Sequence, residues 1–249
     1  MTKQVPATHP RLKSLLIRER LVNGFTRGLV AREGLIAHGR GEAFDYLLGE
    51  KTSAFALDAI QAAAATLLLA RQPIISVNGN VAAVSARDVI KLSKYAKAPL
   101  EVNLFYRDKQ RELAIERKLL EYGAAKVYGV GSHASARLPE LDSERRKVDP
   151  RGILVADVVV IPLEDGDRAE ALVKMGKKII AIDLNPLSRT ASVADITIVD
   201  NITRAIPSLI NAIKGISNLA GDEKQKIVGK FDNKRVLAKS LEIIRGAIT

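Results

Sequence analysis

Apolar and polar positions along the 249-residue chain follow two periods. Over residues 9–29, Leu15, Val22, Phe25 and Leu29 recur at spacings of seven, three and four, which predicts a helix with Arg11 and Arg18 on one face and Arg20 and Arg27 on another. The next stretch, GLIAHGRGE over 34–42, is punctuated by glycine and predicts a loop, with helices following over 42–49 and 53–71. From residue 72 the pattern changes to short, unbroken apolar runs separated by helical stretches. Strands are predicted at 74–77, 100–103, 126–130, 158–161, 178–182 and 196–199, and helices at 85–97, 108–122, 168–175 and 202–213. A charged helical region closes the chain. The polar, proline-containing stretch 131–152 is expected to be a mobile loop or lid.

Strands that alternate with helices and read as continuous Val/Ile runs belong to a mostly parallel sheet covered on both faces. The expected fold is therefore an α/β, Rossmann-like doubly wound domain. It comprises an N-terminal helical region over about 9–71, an α/β core over about 72–215 and a charged tail over about 216–249, all as one unit.

Composition narrows the function. The most apolar stretch, 54–70, is interrupted by Asp58 and Gln61, so it reads as a core or interface helix rather than a membrane span. The polar N-terminus lacks the apolar region of a signal peptide, and the expected location is the cytoplasm. The chain has no cysteine and three separated histidines, His9, His38 and His133, which argues against thiolate or histidine metal sites. Mg²⁺ held by carboxylates and phosphates is the metal chemistry left open. A net charge of +11 calls for an anionic partner, yet aromatics are 4% of residues and tryptophan is absent. That is a poor stacking surface for single-stranded nucleic acid, and small phosphorylated ligands are the expected partners instead.

In open α/β sheets ligands bind beyond the carboxyl ends of the strands. Those positions are polar here: Asn78-Gly79-Asn80, then LEDGDR over 163–168, DLNPLSRT over 183–190, and Asp200-Asn201. Asn78-Gly79 reads as a turn or as a substrate contact. The segment 183–190 offers an acid for a ribose hydroxyl in Asp183, amide and hydroxyl groups, and Arg189 for phosphate. Asp200-Asn201 reads as a helix cap or as an adenosine contact. Glu164, Asp165 and Asp167 read as helix-capping acids, or as ligands for Mg²⁺ or a substrate ammonium. Between its flanking glycines Arg40 is placed to share a phosphate with exposed backbone N–H groups. His38 is either a hydrogen-bonded structural residue or catalytic. Neither GxxxxGK[ST] nor GxGxxG is present, which excludes the P-loop and the usual dinucleotide fingerprint.

Several longer stretches resemble a known family. They are HPR at 9–11, LLIRE at 15–19, GLIAHGRGEAFDYLLGE at 34–50, SVNGNVA at 76–82, EVNLFYR at 101–107, LEDGDRAEALVKMGK at 163–177, IDLNPLSRT at 182–190 and VDNI at 199–202. Together they resemble the archaeal phosphopantothenate synthetases, the 4-phosphopantoate:β-alanine ligases, from residue 9 to about 213. The resemblance implies Mg²⁺-dependent, homodimeric enzymes of coenzyme A biosynthesis. They condense 4-phosphopantoate with β-alanine, converting ATP to AMP and pyrophosphate through an acyl adenylate. It implies ATP contacts at Arg18, Arg40, Asp183, Leu184, Asn185, Arg189, Thr190, Asn201 and Ile202. Arg40, His38, Asn78 and Asn80 are the expected catalytic and substrate-orienting groups. Rival readings are an ADP-forming carboxylate–amine ligase and a basic nucleic-acid-binding protein.

Overall fold

The computed structural model describes residues 6–139, 141–163 and 165–246. Three helices come first, α1 (Leu12–Thr26), α2 (Arg32–Leu47) and α3 (Ala54–Leu69). Strand β1 (Pro73–Val77), helix α4 (Gly79–Ala96), β2 (Leu100–Val102), α5 (Lys109–Glu121) and β3 (Val127–Tyr128) follow as the first winding. A small antiparallel pair, β4 (Ala136–Arg137) with β5 (Lys147–Val148), leads into the second winding. That half is β6 (Val158–Pro162), α6 (Gly166–Lys174), β7 (Lys178–Ile182), α7 (Arg189–Val193), β8 (Ile196–Ile198) and α8 (Ile202–Ile216). Helices α9 (Gly221–Gly229) and α10 (Asn233–Gly246) complete the described chain.

The main sheet has the order β3-β2-β1-β6-β7-β8, and every pairing in it is parallel. This is the doubly wound order, in which the chain starts in the middle, winds to one edge, then returns and winds to the other. The unbroken apolar runs are explained by burial on both faces. Ile75, Val77, Val160, Ile180 and Ile198 point into the larger core beneath α3, α4 and α8. Ile74, Val159, Ile161, Ile179 and Ala181 point into a second core covered by α6 and the 138–156 segment.

Three expectations are corrected. The stretch 34–42 is not a loop but lies inside α2, which begins at Arg32 rather than near 42. Of its glycines Gly34 serves close packing, since a Cβ there would lie 2.6 Å from Asn80 Oδ1, whereas one on Gly41 would make an ordinary contact with Leu184 and one on Gly39 would meet open space. Nor does α4 start at Ser85. It starts at Gly79 and carries a kink at Ser85 (φ −137°, ψ 17°), the residue from which sequence predicts regular helix. Gly79 is required because a Cβ there would fall 2.2 Å from the Leu29 carbonyl oxygen.

The third correction concerns the expected mobile lid, 131–152, which is anchored to the sheet. Leu138, Leu141, Val148 and Ile153 are buried, and Asn103 Nδ2 donates to the carbonyls of Arg145 (3.0 Å) and Lys147 (3.2 Å). The anchor below it is Glu101, a fully buried carboxylate in β2 that accepts from Asp149 N–H (3.0 Å) and Ile153 N–H (2.7 Å). Its placement demands a glycine opposite, since a Cβ on Gly152 would lie 1.9 Å from Oε2.

Burial pushes the Glu101 carboxyl up from 4.5 to about 7, against two backbone N–H donors and Arg168, which pull it down. A folded-state value above the unfolded one means that stability is fullest below the unfolded value and declines as pH rises through the folded one. Between pH 4.5 and 8 the decline amounts to about 3 kcal/mol. Urea unfolding of wild type and Glu101→Gln across that range should show the wild type losing this amount relative to the variant. Parallel curves would refute the assignment.

The charged tail is docked too. Asn233 Oδ1 accepts from Thr197 N–H (2.7 Å), and its Nδ2 donates to the carbonyls of Ala191 and Ala194 (both 3.0 Å). Val236 joins Leu48, Phe55, Leu184 and Val199 in a small third core. No helix among the described residues is long and apolar enough to cross a membrane.

Candidate functional site at the sheet's switch point

All six strands point their carboxyl ends at one rim, and the crevice of such a sheet opens where winding reverses, between β1 and β6. Asn78 bridges that gap. Its Nδ2 donates to the carbonyls of Pro162 (3.2 Å) and Leu163 (2.9 Å), while Oδ1 accepts from Val81 N–H (3.1 Å) and so caps α4. Leu163 has φ +54°, a left-handed conformation that costs a residue with a side chain roughly 1–2 kcal/mol. Asn78 on its carbonyl, and the Ile182 carbonyl accepting its N–H at 3.1 Å, hold it there.

Two cavities adjoin at this point and share Ala37, Asn80, Leu163 and Asp165. The first, about 300 Å³, lies over β6, β7 and β8 and is lined by His38, Arg40, Asp183, Leu184, Asn185, Ser188, Arg189, Thr190, Asn201 and Ile202, among others. The second, about 260 Å³, lies over β1 and β2 and is lined by Asn78, Leu104, Phe105, Tyr106, Arg111 and Arg145 together with the start of α2. Asn80 stands between them, its Nδ2 donating to the Gly34 carbonyl at 2.8 Å and tying α2 to α4.

The segment after β7 is an ordered turn organised by Asp183. Oδ1 accepts from Asn185 N–H (2.9 Å) and Oδ2 from the Ser188 hydroxyl (2.5 Å), whose own oxygen accepts from Ala191 N–H to cap α7. Burial raises the Asp183 carboxyl, opposed by Ser188, the Asn185 N–H and the positive field of Arg40. Asn201 caps α8 by accepting from Thr203 N–H at 3.1 Å, and its Nδ2 donates to buried Asp45 at 2.8 Å. Asp45 also pairs with Arg204 (2.5 Å), which binds Asp200 (2.6 Å), and Asp200 accepts from Thr52 Oγ1 (2.7 Å). This network fastens α2, the helix that carries Arg40, to the start of α8.

Other sequence-predicted residues sit differently. Arg18 lies outside the first cavity and grips Glu42 with two hydrogen bonds of 2.7 Å, in a groove of about 620 Å³ along α1 and α2. Arg11 binds the same Glu42 and also Glu50. His38 faces both groove and cavity. Burial lowers its pKa despite Glu42, whose Oε2 lies 3.8 Å from Nε2, so the ring is neutral near pH 7. Arg189 borders the first cavity with its guanidinium turned to Glu170, which it grips bidentately at 2.8 and 2.9 Å. The flanking glycines of Arg40 lie within helix, so the expected exposed N–H groups are not there, but its side chain does line the cavity.

Of the acidic trio, Glu164 lies outside the described residues. Asp165 is paired with Arg145 at 2.6 Å and borders both cavities, while Asp167 sits in the first turn of α6. Among the described residues no three acids or histidines cluster as a ready-made metal site. Mg²⁺ typically takes one or two carboxylates and completes its shell with substrate phosphates and water, a demand that Asp165 at the lip of both cavities suits. Sequence reasoning missed Asp45, Arg204, Arg111 and Arg145. The first two are separated by more than 150 positions, and no local pattern pairs them.

Fold and rim together define a doubly wound α/β protein with paired cavities at its topological switch point. A family model described as phosphopantothenate/pantothenate synthetase matches residues 55–247. The chain is 50% identical over 245 residues to a 4-phosphopantoate–β-alanine ligase of Thermococcus kodakarensis, covering 98% of this chain and 94% of that one. It is 48% identical over 241 residues to a 4-phosphopantoate–β-alanine ligase of Methanosarcina mazei, covering 97% and 94%. The chain belongs to the phosphopantothenate/pantothenate synthetase family.

Proposed function

We propose that the protein is an ATP-dependent ligase of coenzyme A biosynthesis. It condenses 4-phosphopantoate with β-alanine to 4′-phosphopantothenate, releasing AMP and pyrophosphate. The observation that carries this reading is the pair of adjoining cavities at the switch point, with a common boundary where a group from one side meets a group from the other.

The nucleotide belongs in the first cavity. Asp183 accepts from a ribose hydroxyl, Asn185, Thr190, Asn201, Leu184 and Ile202 surround the adenosine, and Arg40 faces the phosphates with Arg189 at the edge. Arg18 joins them only by exchanging Glu42 for a phosphate. The acid's carboxylate oxygen attacks the α-phosphorus, the bond to pyrophosphate breaks, and an acyl adenylate forms. The free amine of β-alanine then attacks the acyl carbon, AMP leaves, and the ammonium proton passes to solvent or a neighbouring base. Asn78 and Asn80 act by holding the boundary in register. Positioning and charge neutralisation account for the rate, with no covalent enzyme intermediate. Mg²⁺, bound with Asp165 or Asp167, would offset charge on the nucleotide phosphates. The working form is a homodimer in the cytoplasm.

The test is incubation with 4-phosphopantoate, β-alanine, ATP and Mg²⁺, followed by mass spectrometry, with each substrate omitted in turn. The expected products are 4′-phosphopantothenate and AMP. ADP in place of AMP would assign the acyl-phosphate route instead, and no amide product would overturn the reading. In the same assay Arg40→Ala should lower kcat/KM at least about tenfold with an unchanged unfolding profile, since one charge-assisted contact contributes about 1.5–3 kcal/mol. Near-normal turnover would remove Arg40 from the site.

A further inference from the structure

The cations around the two cavities are unequally engaged. Arg145, which lines the second cavity, holds Asp165 and the Asn103 carbonyl. Arg111 differs. It is the third residue of α5, its Nη1 donates to the Tyr106 carbonyl at 2.6 Å, and its Nε is buried with no partner among the described residues. It lines the second cavity and not the first. The contact to Tyr106 fixes the turn that presents Phe105 and Tyr106, stacked edge to face with centroids 4.9 Å apart, as an apolar wall of the same cavity. The start of α2 at Ala31, which has no side-chain cap, borders the cavity as well and adds the partial positive charge of a helix N-terminus. Two acids also face it, but Asp165 is neutralised by Arg145 and Glu33 is exposed.

We infer that the second cavity seats the phosphorylated hydroxy acid and that Arg111 takes its phosphate, so that Arg111 decides between the phosphorylated acid and its unphosphorylated counterpart. The inference rests on the reaction proposed above. For that reaction the carboxylate has to reach the α-phosphorus of a nucleotide in the first cavity, across the boundary made by Asn80, Leu163 and Asp165. The substrate's other end, the phosphate, then points away from the first cavity, and Arg111 is the cation standing there with an unused donor. Between the two ends the substrate carries a quaternary carbon with two methyl groups, which the Phe105–Tyr106 wall suits. A guanidinium offers two parallel donors to a phosphate, which a point charge does not, so lysine is a partial replacement only.

The test uses the full chain and isothermal titration with 4-phosphopantoate and with pantoate, each in the presence of a non-hydrolysable ATP analogue, alongside steady-state KM values. Arg111→Ala should weaken 4-phosphopantoate at least about tenfold and leave pantoate, the ATP analogue and the KM for β-alanine within about twofold. Arg111→Lys should recover part of the loss. Unchanged analogue binding shows that a variant has kept the site, and Arg111→Gln, which retains a donor to the Tyr106 carbonyl, replaces any variant that fails this control. Equal weakening of pantoate and 4-phosphopantoate, or a rise in the KM for β-alanine alone, would overturn the inference. Failure of wild type to bind 4-phosphopantoate while binding the analogue would instead overturn the proposed reaction.

Discussion

Asp45→Ala is expected to destabilise the protein by about 3–5 kcal/mol, the usual consequence of removing one partner from a buried ion pair. Asp45 is 1% exposed and takes hydrogen bonds from Asn201 and from two nitrogens of Arg204. Without it the guanidinium keeps Asp200 but loses half its partners, and the Asn201 amide is stranded. For a chain of this size the loss corresponds to a fall in Tm of roughly 6–20 °C. Asp45→Asn should cost less, because an amide oxygen still accepts one hydrogen bond. Because the network fastens α2 to α8, activity should decline with stability, and lowering the temperature should recover part of it. A stability change under about 1 kcal/mol in denaturant titration would mean that the pair behaves as a solvated surface contact.

Asp183→Ala is expected to have the largest effect on function, lowering kcat/KM for ATP by about a hundredfold or more. Two losses combine. The Asn185 N–H and the Ser188 hydroxyl both lose their acceptor, so the turn that lines the first cavity loosens. With the nucleotide in the proposed position, a ribose hydroxyl loses its carboxylate as well. Each charge-assisted hydrogen bond contributes about 1.5–3 kcal/mol, and two or three together give the stated factor. Asp183→Asn should lie between wild type and alanine, since it accepts on one oxygen only. Binding of the non-hydrolysable ATP analogue, followed by calorimetry, separates this from a defect in chemistry. Analogue affinity within threefold of wild type would place the nucleotide elsewhere.

Most of the secondary structure was legible in the chain. Strands β1, β6 and β7 follow from runs of Val and Ile, and the starts of α3 and α5 from Ser53 and Asp108, whose side chains cap them; the short helix α7, capped by Ser188, was not legible. The polar strand ends pointed to the rim of the sheet, and Asp183, Asn185, Thr190 and Asn201 do line one cavity there. The glycines at 34, 39 and 41 misled, because spacing cannot distinguish a glycine that turns the chain from one that lets a neighbour approach. Gly34 is the second kind, pressed against Asn80. The stretch 131–152 misled for a related reason: a polar segment reads as solvent-exposed until its anchor is known, and Glu101 lies in a different strand.

The sequence by itself determined the fold class, the rim where polar strand-end residues gather and the family, because periodicity, strand-end polarity and long motifs are local properties. Tertiary structure alone decided which charges are available. Arg189 read as a phosphate ligand and the family resemblance made Arg18 an ATP contact, yet Glu170 and Glu42 hold them; Arg111 drew no notice, yet it faces a cavity with a buried donor unpaired among the described residues. An ion pair depends on the distance between side chains brought together from separate helices. Composition counts such charges but does not pair them.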